Sequence, residues 1–269
     1  MGLALLFDAM TNANLNGVRL AMRDRQLARE YWAQSVRRYY ELMGFGLSAN
    51  DPVAFVSQQG WTAAGGSDRA QLPITLQPNG ITRLDELLVL AMATCALRPT
   101  AVFEVGTFMG HATSVLILNA PPESRVYSLD LPPGADKSAS ESQYLTSDVE
   151  LVQRRQVGSF VRELGLEDRY RQIYCDSLTF DPAPYARTVE LGFIDGAHTR
   201  QYVQNDTLKM AVMMADRGLV FWHDYGGRGD FRALTDYLDS LAAHIRIYRV
   251  PNTTLAWSPA HEVRKLAGR

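Results

Sequence analysis

A chain of 269 residues is long enough for one large domain, or a core with an added piece, and can bury its core without disulfide staples. With 46% apolar and 21% charged residues it is no disordered polymer. Its 27 basic and 29 acidic residues leave a net charge of −2, which argues against the broad basic surface of a nucleic-acid binder.

Cys95 and Cys175 both lie in apolar segments and read as reduced, buried thiols of a cytoplasmic protein. The start, Met1 to Phe7, has no basic n-region. The run from Leu87 to Leu97 is too short to span a bilayer, so no membrane partner is expected.

In chain order, residues 12–46 read as helical. Leu15, Val18 and Met22 mark one face and Leu20, Leu27 and Tyr31 another. A helix apolar on more than one face either packs on the core or makes a homodimer contact. Residues 51–80 read as an irregular segment rich in glycine and proline, anchored by Phe55, Val56, Trp61, Ile74 and Leu76. Residues 1–80 are therefore expected to be a helical and loop cap, with residues 81–269 as the main domain. There, Thr82 and Asp85 resemble a capping box opening a helix that Pro99 stops. Strands are then expected at 101–105, 126–131, 170–175, 191–195 and 219–223. Helices are expected at 110–119, 148–165, 200–215 and 230–243. A hairpin of 245–250 and 253–257 closes the chain. Such alternation predicts a doubly wound, Rossmann-like α/β fold, a mostly parallel seven-stranded sheet with an antiparallel terminal hairpin.

The chemistry-bearing residues fall at the ends of the strands. Glu104-Val105-Gly106-Thr107-Phe108-Met109-Gly110 is a strand running into a glycine turn at a helix start, where backbone N–H groups can meet a ligand. A dinucleotide fingerprint would need glycine where Phe108 stands, which weakens an NAD-dependent oxidoreductase reading. Asp130 closes the next strand, placed to accept ribose hydroxyls. Asp176 and Ser177 end the third, placed to bond an adenine edge. Asp195-Gly196-Ala197-His198 and His223-Asp224 end the last two.

These stretches together resemble class I S-adenosylmethionine-dependent methyltransferases. They are Glu-Val-Gly-Thr-Phe-x-Gly, the Asp of Tyr-Ser-Leu-Asp, Phe-Ile-Asp-Gly-Ala-His and Trp-His-Asp-Tyr. More narrowly they are similar to the small-molecule O-methyltransferases of caffeoyl-CoA and macrocin type and to the cephalosporin-hydroxylase-like group, over roughly residues 80–258. The resemblance implies S-adenosylmethionine as cofactor. Gly106, Thr107 and Gly110 would lie around its methionine moiety with Glu104 beneath, Asp130 at the ribose, and Asp176 and Ser177 at the adenine. Asp195, beside the methyl donor, would with His223 and Asp224 hold a divalent cation such as Mg²⁺, and His198 would be the general base. His223 departs from the carboxylate common in metal-dependent relatives, and an imidazole favours softer ions than Mg²⁺. The implied partner is a small-molecule acceptor hydroxyl. A repurposed S-adenosylmethionine-binding protein is the competing reading. Residues 132–147 are expected to cover the cofactor, with Tyr144 in contact, and Gly226-Gly227-Arg228-Gly229 either gates the pocket or is a surface turn.

Overall fold

A computed structural model describes residues 47–61, 70–73, 82–133, 156–227 and 231–268. The expected helix at 12–46, most of the loop at 132–147 with Tyr144, and the first half of the helix at 148–165 lie outside the described residues. So do residues 228–230 of the glycine-rich loop. The chain divides into two compact units, residues 1–48 and 49–269.

The sheet is made of β1 (Ser48–Ala49), β2 (Ala101–Val105), β3 (Arg125–Asp130), β4 (Tyr170–Tyr174), β5 (Val189–Ile194), β6 (Met214–Trp222), β7 (Tyr248–Arg249) and β8 (Ala256–Pro259). Their order is β1-β7-β8-β6-β5-β2-β3-β4. The five strands from β2 to β6 are parallel, and β8 is antiparallel to both β6 and β7. The expected fold is thus present, with one short strand more than the seven read from sequence. Because β2 pairs with both β3 and β5, the order reverses there, and the crevice beyond the carboxyl ends of β2 and β5 is where ligands bind in such sheets.

The helices are α1 (Pro52–Gln58), α2 (Leu84–Leu97), α3 (His111–Asn119), α4 (Ser159–Glu163), α5 (Arg200–Met213), α6 (Arg232–Leu241) and α7 (Ala260–Val263). α1 corrects the irregular reading of this stretch. Asp51 accepts from the N–H groups of Val53 and Ala54, and Pro52 takes the first helical position, where its missing N–H costs nothing. α2 starts one residue later than its sequence signal, because Arg83 donates its N–H to Glu86 and so takes the cap position expected of Thr82. It ends where Arg98 turns left-handed ahead of Pro99.

Strand alternation assigns the two faces of the sheet. Leu191 and Phe193 join the core built on Val56, Leu90, Leu97 and Leu116, which brings α1, α2 and α3 onto one face. Gly192, between them, faces Met210 of α5 on the other face, so close that a Cβ would meet its sulfur at 2.6 Å. Met210, Met213 and Met214 are all buried, as expected of core methionines. Cys95 and Cys175 are thiols, but both are half-buried rather than fully buried. Arg217 and Gly218 lie inside β6 rather than ahead of it, because β6 begins at Met214 and shifts register against β5 between Val189 and Leu191. None of the helices among the described residues is long and apolar enough to cross a membrane.

Candidate active site

The glycine turn is built by close approach of two strand ends. Gly106 has φ +99°, and a Cβ there would meet the carbonyl oxygen of Asp195 at 1.9 Å. Only glycine lets the β2 turn seat against the end of β5. The turn is closed from β3. Asp130 accepts the Phe108 N–H with one carboxylate oxygen (2.8 Å) and the Leu131 N–H with the other (2.7 Å). Gly110, with φ +91°, is the N-cap of α3 and packs against Gly158 and Val161.

Glu104 lies beneath this turn, fully buried. Thr113 and Ser128 both donate to its Oε2 at 2.5 Å. Burial pushes its carboxyl up to about 8, against the lowering effect of those two hydroxyls, so it holds a proton at neutral pH. Thr107 turns inward, its hydroxyl 2.6 Å from that of Ser128 and accepting from Gln172 at 2.8 Å. It therefore braces the turn through its side chain and can offer a ligand only its backbone. Asp176 and Ser177 join β4 to α5. Asp176 accepts from the Leu178 N–H and the Tyr202 hydroxyl, and the Ser177 carbonyl accepts from Asn205 and Lys209.

The ends of β5 and β6 carry the charged centre. One oxygen of Asp224, Oδ2, lies 2.9 Å from His198 Nε2 and 3.1 Å from His223 Nδ1. Asp195 Oδ1 is 3.2 Å from His223 Nδ1. Asp195, His198 and Asp224 each offer a donor atom within 4.8 Å of the others. Among the described residues, His223 Nδ1 is buried and makes no hydrogen bond of acceptable geometry, although two carboxylates face it. A buried ring nitrogen between two carboxylates fits a bound cation. Burial raises Asp195, and burial pulls His223 down while the Asp195 and Asp224 charges outweigh it and hold the ring well above its ordinary value. Asp224 is held low by His223 and His198 against the opposing effect of burial. His198 is also packed edge-on against Phe231, ring centroids 4.7 Å apart.

One member of the centre has no counterpart among the sequence motifs. Glu86, from the first turn of α2, receives His223 Nε2 at 3.0 Å. It is buried, and although burial works against its charge, the contacts with His223 and Thr254 bring it down to about 2. Its sequence signal is faint: one of two adjacent acids in an otherwise apolar helix.

Residues 103–225 match the family model of a methyltransferase domain, just under half of the chain. S-adenosylmethionine is the cofactor of such domains, as the sequence motifs imply. The matched span holds the glycine turn, Asp130 and the centre at Asp195, His198, His223 and Asp224. Among solved structures, the chain is similar to cofactor-bound Rv0187 from MTB at 17% identity, covering 79% of this chain and 91% of that one with a TM-score of 0.49. It is also similar to the SAH-bound methyltransferase PaMTH1 of Podospora anserina at 12% identity, covering 87% and 95% with a TM-score of 0.47. The chain matches no curated protein.

Proposed function

We propose that the protein is a methyltransferase that transfers a methyl group to the hydroxyl of a small molecule, assisted by a divalent cation. The observation that carries this reading is the convergence of Asp195, His198, His223 and Asp224 at two adjacent strand ends, against the glycine turn. In-line displacement at a sulfonium needs an aligned acceptor and a route for its proton. A hydroxyl is a weak nucleophile until deprotonated.

Within this reading, Gly106, Thr107 and Gly110 carry the methionine end of the cofactor, Asp130 the ribose, and Asp176 and Ser177 border the adenine. Asp195, His223 and Asp224 would hold the cation, which when bound lowers the pKa of a coordinated hydroxyl. His198 takes the acceptor's proton. Its Nε2 contact with Asp224 orients the ring and favours the charged form that proton capture creates, as a carboxylate does for a catalytic histidine. Phe231 against the ring excludes water from one side.

The test is incubation with S-adenosylmethionine and a panel of phenols, catechols and sugars, with methylated products read by mass. O-methyl product, abolished by His198→Ala while S-adenosylhomocysteine still binds, is expected. Products methylated only at nitrogen or carbon overturn the hydroxyl reading. Undiminished turnover in EDTA removes the cation, and near-normal turnover of His198→Ala removes that base.

A further inference from the structure

We infer that Glu86 is a positioning residue, which holds the proton of His223 on Nε2 so that Nδ1 faces the cation. The inference rests on the divalent-cation reading above and deepens it. Glu86 lies on α2, outside the matched domain of residues 103–225, yet its side chain reaches the ends of β5 and β6.

The proton's place follows from counting donors. Oε1 of Glu86 accepts the Thr254 N–H at 2.6 Å and the Thr254 hydroxyl at 2.8 Å. Oε2 accepts the Arg83 N–H at 3.2 Å and stands 3.0 Å from His223 Nε2. Two of these donors, from Arg83 and Thr254, are backbone N–H groups. The Thr254 hydroxyl receives the Asp224 N–H at 3.3 Å and so turns its own hydrogen to Glu86. A carboxylate surrounded by donors only accepts, so the hydrogen of the remaining contact sits on Nε2. Nδ1, 3.2 and 3.1 Å from the Asp195 and Asp224 carboxylates, is then the ring nitrogen left to face the cation. A carboxylate on the outer nitrogen of a metal-binding histidine fixes the ring and makes the inner nitrogen a stronger donor. Glu86 is thereby a determinant of ion choice, favouring ions that bond nitrogen well, such as Zn²⁺ and Co²⁺, over Mg²⁺.

The experiment compares Zn²⁺ and Mg²⁺ binding by equilibrium dialysis for wild type and Glu86→Gln. A retained melting shift with S-adenosylhomocysteine shows that the variant is folded. Zn²⁺ binding should weaken about 10- to 100-fold with Mg²⁺ binding little changed. A purely structural role would weaken both ions alike, so an equal loss, or no loss, overturns the inference. Long-range proton–nitrogen NMR of Zn²⁺-loaded wild type needs no Glu86 variant, with His223 assigned by comparison with His223→Asn. Zinc on Nδ1 and hydrogen on Nε2 are expected, and the reverse, or a ring without zinc, overturns it. Wild type that binds neither ion overturns the cation reading itself, whereas tight Zn²⁺ binding indifferent to Glu86→Gln removes only Glu86.

Discussion

Gly106 sits where two strand ends nearly touch, and a single carbon decides whether they can. Gly106→Ala would drive a methyl group into the Asp195 carbonyl in a left-handed backbone. The expected cost is at least about 1–3 kcal/mol of stability, read by urea unfolding, together with a weaker melting shift from S-adenosylhomocysteine. Glu104 supports the same turn from below and makes it pH-dependent. Its folded value of about 8 lies above the ordinary 4.5, so the protonated form stabilises the fold fully below 4.5 and that contribution is lost as pH rises through 8. Within the window the loss runs at about 1.4 kcal/mol per pH unit. Glu104→Gln should flatten the decline in unfolding free energy between pH 6 and 8. An unchanged slope would place the proton elsewhere.

Elements were legible where local pattern and burial agree. Most of the parallel strands are apolar runs followed by glycine, a carboxylate or a histidine, and Asp195, His198, His223 and Asp224 were legible because they fall within four residues of the ends of β5 and β6. Glu86 was not, because its partners His223 and Thr254 lie 137 and 168 residues away. α1 was missed for a different reason. Glycines and prolines around residues 51–80 masked an Asp-Pro start that carries its own helix signal. That cap is testable. Asp51→Ala should cost about 0.5–2 kcal/mol in chemical denaturation, since two N–H groups lose their acceptor. α1 also carries Phe55, whose ring centroid is 5.4 Å from that of Trp257, so near-ultraviolet circular dichroism should report the same change.

For the molecule as a whole, the near-zero net charge fits acidic residues gathered at strand ends around one small ligand. A ligand that binds only the folded state stabilises it by mass action, about 2.7 kcal/mol at a hundred times its dissociation constant. S-adenosylhomocysteine should therefore raise the melting temperature and NAD should not, since Phe108 occupies the turn position where a dinucleotide needs glycine. A rise with NAD would reopen the oxidoreductase reading. The alternation of strands and helices predicts the doubly wound class and its antiparallel end, whereas the strand order rests on pairings between segments distant in the chain.

The bonds from Glu86 to His223 and Thr254 also bear on how the chain folds. They join α2, the end of β6 and the turn before β8, segments that no local interaction brings together. Loop closure over such distances is slow, and contacts of this kind form after the sheet has been laid down. The charged centre is thus expected to be the last part of the domain to order. A chain trimmed to residues 103–225 would keep its strand-end motifs yet lack both anchors, Glu86 and Thr254.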